Sequence, residues 1–368
     1  MAAVTGGDKK LLQYAIILLQ SAIAVKRENM GSFPTMDPLT HTATGLFLSR
    51  IGLKRWTPLA TPILLLASNA PDIDIVTTAG GSLSYLHYHR HLTHSILAMP
   101  VMALGTVALV WLLGRRRKIR WMGAFFAALI AVAAHLLLDL TNTYGIRLYL
   151  PFSARWLRLD LTNIYDLWIW AFFLLCIAAP FLGRLVGSEI ASRNTRQPLH
   201  GRGFAWVALA FLLLYNCGRG VLHARAVAEL EARIYEDAAP LRSLAVPGPA
   251  NPWRWRGIVE TADSFAVQDV DLLGEFDPTR ATIYRKPSPD PAIQTAERLP
   301  AFQEFLRFSE FPMWRVSPSS DLPNGTTVEV LDLRFGTPAG AAFMVRTNLD
   351  ANLRPVDTSF QFGIPRQK

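Results

Sequence analysis

The chain has 368 residues, of which 51% are hydrophobic and 18% are charged, and its formal net charge is +9 at pH 7. Soluble proteins of this length carry more charge, so the composition excludes a wholly soluble chain and predicts a membrane protein with a soluble portion. Much of the basic excess lies in short loops between apolar segments, which membrane topology explains without nucleic acid binding. Cys176 and Cys217 lie in apolar runs, which argues against a disulfide and against thiolate metal ligands.

The first 35 residues allow two interpretations. Lys9-Lys10, the apolar run Leu11–Val25 and the small residues Ala22-Ile23-Ala24 are typical of a secretory signal with its cleavage site. Alternatively, Met36 is the true start and the upstream segment is an extension. We therefore expect an N-terminal extension or signal-like segment at 1–35, a helical membrane domain with a metal site at 36–224, and a soluble extracytoplasmic domain at 225–368.

Four apolar runs of about 20 residues are long enough to cross a bilayer as helices. They are His94–Gly114, Trp121–Leu140, Asp166–Val186 and Gly203–Leu222. Two shorter runs, Thr42–Leu53 and Thr57–Ala70, precede them and predict a helical hairpin.

Basic loops set the expected orientation of these helices. One loop holds five basic residues between Arg115 and Arg120, and a second connection holds Arg184, Arg193, Arg196 and Arg202. The positive-inside rule places both loops in the cytoplasm. The opposite helix ends, which carry the histidines and aspartates, are then expected at the outer face of the cell inner membrane.

Two carboxylates follow the predicted hairpin in the sequence Asn69-Ala70-Pro71-Asp72-Ile73-Asp74. Pro71 is expected to break the helix, and carboxylates in such a pair suit divalent cations. The alternative is a solvated loop or a helix cap.

A histidine-rich loop, His87-Tyr88-His89-Arg90-His91-Leu92-Thr93-His94, stands at the mouth of the next span. Neutral imidazole is a common ligand of zinc, and the planar guanidinium of Arg90 suits a phosphate or carboxylate oxygen. The sequence does not decide which of His87, His89 and His91 bind metal, and a surface tract is the alternative.

His135 and Asp139 lie four residues apart on a predicted helix, so their side chains share one face. They can bind one ion together, or one can orient the other; the plain alternative is a hydrogen bond that ends the helix. His41 is expected at the same end of the hairpin as Asp72, which makes it a further candidate.

The composition changes after about residue 224. Short alternating runs at Gly257–Val267, Thr326–Phe335 and Ala341–Thr347 predict strands, and Ile293–Phe308 predicts a helix. The expected fold is an α-helical polytopic membrane domain followed by a smaller, mostly β (α+β) domain. Residues 225–368 contain no histidine, so the metal site is expected in the membrane domain.

Taken together, these motifs resemble the YdjM-like family of membrane-bound metal-dependent hydrolases over roughly residues 36–165. The motifs include Asp37-Pro38-Leu39-Thr40-His41 and His135-Leu136-Leu137-Leu138-Asp139. The family typically has glycine where this chain has His91. The order of the motifs is also similar, more distantly, to that of zinc-dependent phospholipases C, which implies phosphoester hydrolysis.

The resemblance implies a set of site residues. The family motif positions are His41, Asp72, Asp74, His89, Arg90, His94, His135 and Asp139. We expect the metal ligands to be His41, Asp72, His89, His94, His135 and Asp139. We expect Asp72 or Asp74 to be the general base and Arg90 to position the anion, so Asp72, Asp74 and Arg90 are the expected catalytic residues. We expect a membrane-bound hydrolase that contacts the bilayer and acts on a phospholipid or another phosphoester. The expected cofactor is a divalent metal ion, zinc. A metal-ion transporter and a non-catalytic, metal-stabilised membrane scaffold are the alternatives.

Overall fold

The computed structural model describes residues 37–190 and 201–362, and the chain divides into two compact units. The first unit comprises residues 37–74, 90–190 and 201–220 of the described chain, and the second comprises 75–89 and 221–362. The N-terminal segment 1–35, Arg193 and Arg196 lie outside the described residues.

The first unit is helical. Its helices are α1 (Pro38–Ile51), α2 (Ala60–Ala67), α4 (Met99–Leu113), α5 (Trp121–Thr141), α6 (Leu167–Ile190) and the first part of α7 (Gly201–Glu231). Among the described residues, three stretches are long and apolar enough to cross a membrane: Ile96–Leu113, Trp121–Thr141 and Gly201–Glu231. The fourth predicted span forms α6, whose described apolar part, Leu167–Pro180, is shorter.

One buried stripe of α5 organises the core of this unit. Ala124, Ala128 and Ala131 are fully buried, and they pack in one cluster with Ile63 and Leu64 of α2. Small side chains let helix backbones approach closely in a membrane protein. Steps of three and four residues keep a helix face in register, so the same stripe continues to His135 and Asp139 and directs both into the unit.

A glycine sets the distance between α1 and α2. A Cβ atom on Gly45 would lie 2.7 Å from the carbonyl oxygen of Leu64 and 2.5 Å from Oγ of Ser68. Both distances are far below van der Waals contact, so a side chain at position 45 would separate the helices. The glycine therefore fixes the position of Ser68 at the end of α2.

The second unit contains two antiparallel four-stranded sheets within the described residues. The first consists of β1 (Arg242–Pro247), β2 (Arg254–Glu260), β3 (Ser264–Asp271) and β4 (Thr282–Arg285); the second consists of β5 (Pro312–Pro318), β6 (Thr326–Asp332), β7 (Phe343–Leu349) and β8 (Pro355–Phe362). In each sheet the strands follow chain order. Together with the helical first unit, these sheets confirm the predicted fold class.

Two local predictions differ from the structure. The run Gly257–Val267 is a hairpin, because the chain turns between β2 and β3. The predicted helix Ile293–Phe308 is two helices, α8 (Pro291–Glu297) and α9 (Pro300–Phe308). Pro300 lacks the backbone N–H that a continuous helix requires and can begin a new one.

The core of the second unit has three parts. Leu244, Ile258 and Phe265 of the first sheet share an apolar cluster with Met313 and Leu331 of the second. The end of α7 contributes Ala226 and Leu230 to a cluster with Trp255. The helix α3 (Gly81–Tyr88) buries Tyr85 and Leu86 in this unit and contacts α9, where His87 Nδ1 lies 3.0 Å from Glu304 Oε1.

We predict that Gly45→Ala destabilises the protein by about 1–3 kcal/mol, because the new methyl group overlaps the Leu64 carbonyl. The measurement is the melting temperature in detergent. Gly105→Ala in α4 is the matched control, because nothing lies within 4 Å of its Cβ position and alanine favours a helix over glycine by about 0.5–1 kcal/mol. Equal melting temperatures of the Gly45→Ala variant and the wild type would contradict the close approach of α1 and α2.

Candidate metal site

Four side chains of the first unit form a group that could hold a metal ion: Asp72, His94, His135 and Asp139. One ligand atom from each lies within 4.8 Å of all the others. Three of the four residues are buried, and Asp72 is the partly exposed member, with 14% of its side chain accessible.

Three local structures present these ligands. Asp72 lies in a 3-10 segment, Ala70–Gly80, that follows the end of α2. His94 closes the short 3-10 turn Leu92–His94 immediately before the Ile96–Leu113 stretch, and Ser95 caps the next turn by accepting a hydrogen bond from the Ala98 amide at 3.2 Å. His135 and Asp139 come from the last turns of α5.

The ligand atoms have the spacing of a tetrahedron around one small ion. His94 Nε2 lies 3.4 Å from Asp72 Oδ1 and 3.2 Å from Asp139 Oδ2, and His135 Nε2 lies 3.3 Å from each of the same two oxygens. The two Nε2 atoms are 3.2 Å apart. Tetrahedral zinc with bonds of about 2.0–2.1 Å to N and O requires ligand atoms about 3.3–3.4 Å apart, so these five distances fit.

The hydrogen bonding also fits a cation at this position. Asp72 Oδ1 and Asp139 Oδ2 are buried and accept no hydrogen bond. Buried polar atoms are normally satisfied, so two unsatisfied carboxylate oxygens that face two imidazole nitrogens require an explanation. A divalent ion held between the four atoms would satisfy all of them.

Each imidazole is oriented through its other nitrogen. His135 Nδ1 lies 2.8 Å from the carbonyl oxygen of Ser68, and only a protonated Nδ1 can donate to it. His94 Nδ1 lies 3.2 Å from Asp74 Oδ2. Both contacts favour the tautomer that leaves the Nε2 lone pair directed at the group, which is the usual arrangement of metal-binding histidines.

Arg90 holds Asp139 from the opposite side. Its Nη2 donates to Asp139 Oδ1 at 2.8 Å, and its Nη1 donates to Asn142 Oδ1 and the Gly145 carbonyl at 3.1 and 3.0 Å. The Arg90 amide donates to Asp74 Oδ2 at 2.7 Å, and its φ of 52° lies in the left-handed region. A strained residue held by this many contacts is typical of functional sites.

The other predicted residues occupy different positions. His41 stacks on His135 with ring centroids 3.9 Å apart, and its Nε2 lies 3.5 Å from Asp139 Oδ1, yet it is not one of the four. His89 is buried in the second unit, where its ring stacks on Tyr85 at 4.3 Å. Asp74 Oδ2 receives the Arg90 amide, Thr93 Oγ1 and His94 Nδ1.

Three residues that contact the group or Arg90 were not predicted from the sequence: Ser68, Asn142 and Gly145. Ser68 and Gly145 act through backbone carbonyls, which no side-chain pattern reveals. Asn142 lies three residues after Asp139, a spacing that could have indicated it. A cavity beside the group is lined by His41, Arg90, Asp139 and Asn142 among others.

Without an ion, the group perturbs its own protonation. Burial raises the pKa of Asp72, but the imidazoles of His135 and His94 outweigh it and hold that pKa below its usual range. Burial lowers the pKa of His94, but Asp74, Asp139 and Asp72 raise it well above its usual range. A metal-bound imidazole must give up the proton on its ligand nitrogen, so metal binding displaces that proton from His94 and becomes tighter as the pH rises.

Comparisons with known proteins identify two matching families and one relative. The family model described as YdjM inner membrane protein matches residues 36–226, and the model described as YfhP C-terminal alpha/beta plait domain matches residues 291–364. A Bacillus subtilis (strain 168) protein, "Uncharacterized protein YfhP", is 26% identical over 345 residues, which cover 89% of this chain and 96% of that relative. The comparison with solved structures gives no match.

We predict that Asp74→Asn lowers zinc affinity by about 10- to 100-fold, because the amide removes the negative charge that orients His94. Competition with a chromogenic zinc chelator measures the affinity. Asp269→Asn, an exposed aspartate of β3, is the control and should leave the affinity unchanged. An Asp74→Asn variant with wild-type affinity would show that Asp74 has no part in the site.

Proposed function

The chain belongs to the YdjM inner membrane protein family, and from that premise we propose that it is a membrane-bound, metal-dependent hydrolase. The observation that carries the proposal is the near-tetrahedral arrangement of two carboxylate oxygens and two imidazole nitrogens at distances of 3.2–3.4 Å. Residues 36–224 would form the membrane domain, and residues 225–368 a separate soluble domain.

Asp72, His94, His135 and Asp139 would hold the ion. Their N and O atoms suit zinc, and the tetrahedral spacing favours it over the larger calcium ion and over octahedral magnesium. A zinc ion in this position would supply Lewis acidity and lower the pKa of a bound water molecule.

The protein residues would have distinct tasks. Asp72 reaches solvent, so water and substrate would approach from its side, and its carboxylate is the candidate general base. Asp74 is occupied by three donors, so we assign it to the orientation of His94. The two Nη atoms of Arg90 are occupied by Asp139, Asn142 and Gly145, so we assign Arg90 to holding Asp139.

We propose a phosphoester as the substrate class. A cation of this kind can polarise a phosphoryl oxygen and activate water at once. The order of the ligand motifs, which is similar to that of zinc-dependent phospholipases C, supports the same class.

One observation favours a second candidate, a metal-stabilised scaffold without activity. Catalytic zinc sites usually have three protein ligands and an open position, whereas structural sites have four. The group offers four donors. In the hydrolase, the partly exposed Asp72 is the ligand whose position a substrate or water would share.

We predict that the purified protein hydrolyses a chromogenic phosphodiester in a zinc-dependent way, and that Asp72→Asn lowers the rate by about 100-fold or more at saturating zinc. The amide keeps an oxygen that can bind zinc but cannot act as a base. Asp269→Asn is again the control. If the wild type has no zinc-dependent activity, and zinc only raises the melting temperature, the scaffold is the correct function.

We also propose that the metal group and the C-terminal domain lie on the extracytoplasmic side. The basic loop Arg115–Arg120 follows α4 and precedes α5, and basic loops stay in the cytoplasm. A reporter that is active only outside the cytoplasm should be silent when it is inserted at Lys118 and active when it is fused after Lys368. The reverse pattern would place the group at the cytoplasmic face.

A further inference from the structure

The apolar surface of the candidate spans extends to the level of the metal group. Leu137 lies between His135 and Asp139 on α5, and 63% of it is exposed while its two neighbours in the group are buried. Ile96 and Leu97, which begin the next apolar stretch directly after His94 and Ser95, are also exposed. Lipid that covers the spans would therefore reach the depth of the ligands.

The loops that carry the ligands repeat this pattern outside the spans. Ile73 is 60% exposed between Asp72 and Asp74, and Leu92 is exposed two residues before His94. In the first turn of α1, Leu39 is exposed two residues before the buried His41. At each of these three places a polar side chain faces inward and a large apolar side chain faces outward, which is not the pattern of a surface in water.

The connection between α5 and α6 adds an aromatic residue at the same end of α5. Phe152 is 85% exposed, and Tyr149 and Arg155 are exposed beside it. Exposed aromatic and basic residues next to transmembrane helices are typical of the membrane–water interface. A soluble protein rarely leaves an apolar surface of this extent open to water.

We propose that these residues form an apolar rim, Leu39, Ile73, Leu92, Leu97, Leu137 and Phe152, that inserts at the boundary between lipid headgroups and acyl chains. The metal group then lies at the level of the lipid headgroups. Its substrate is an amphiphile anchored in the bilayer, and the polar headgroup of that amphiphile reaches the metal group while its acyl chains stay in the membrane. The substrate part of this inference rests on the proposed hydrolase function. The insertion of the rim does not.

Spin labels test the insertion without any assay of activity. Single cysteines replace Leu92, Phe152 and, as a control, Leu273, an equally apolar and 72% exposed loop residue of the second unit. The background carries Cys176→Ser and Cys217→Ser, and the protein is placed in phosphatidylglycerol–phosphatidylethanolamine vesicles. Labels at positions 92 and 152 should collide more with oxygen than with a water-soluble nickel complex, whereas the label at 273 should show the opposite.

Water accessibility at positions 92 and 152 equal to that at 273 would overturn the inference. Phe152 makes little packing contact, because most of its surface is exposed, so Phe152→Cys should fold even if Leu92→Cys does not. A melting temperature in detergent equal to that of the cysteine-free background verifies the fold of each variant.

A second measurement tests the substrate class. The same phosphodiester headgroup is offered on a diacyl lipid in vesicles and on a short, water-soluble alcohol. We expect at least tenfold faster hydrolysis of the lipid form, and Phe152→Ser should reduce that preference. Equal rates for the two forms would overturn the proposal of an amphiphilic substrate and leave the proposed hydrolase function intact. If neither form is hydrolysed, both proposals are overturned, and the spin-label result stands by itself.

Discussion

Two carboxylates and two buried imidazoles point their donor atoms at one another, and the rest of the first unit is arranged around that constraint. The four atoms lie 3.2–3.4 Å apart in five of their pairs, and two of the oxygens accept no hydrogen bond. Buried charge is strongly destabilising unless it is paired, and Arg90, the two imidazoles and a bound cation are the groups that could pair with these carboxylates. The alanine stripe of α5, the close approach at Gly45 and the contact from Arg90 to Asp139 all serve to hold them in this geometry.

The chain connects the two units through the same site. Residues 75–89 belong to the second unit, where α3 packs against α9, and they leave the first unit at Asp74 and return to it at Arg90. The Arg90 amide closes this excursion by donating to Asp74 Oδ2 at 2.7 Å. Asp74 orients His94 and Arg90 holds Asp139, so the two residues that flank the segment 75–89 both contact members of the group.

The fold class and the segments that carry the four-residue group could be predicted from the sequence because spans, prolines and the four-residue spacing of His135 and Asp139 are local signals. The sequence could not separate the four members of the group from the residues around them. Asp72 and Asp74 flank one residue, yet Asp72 faces the group and Asp74 faces the imidazole of His94. His89 and His94 stand in one loop, yet His89 packs on Tyr85. These differences depend on the 3-10 path of Ala70–Gly80 and on the left-handed backbone of Arg90, which are tertiary features.

X-ray absorption at the zinc edge of the purified protein tests the metal site most directly. We expect one ion per chain, with about four N and O ligands at about 2.0–2.1 Å and the scattering of two imidazoles. Asp139→Asn should reduce the metal content. The control substitutions Cys176→Ser and Cys217→Ser should leave the absorption spectrum unchanged. A chain without a stoichiometric ion, or an ion with sulfur ligands, would contradict the proposed metal site.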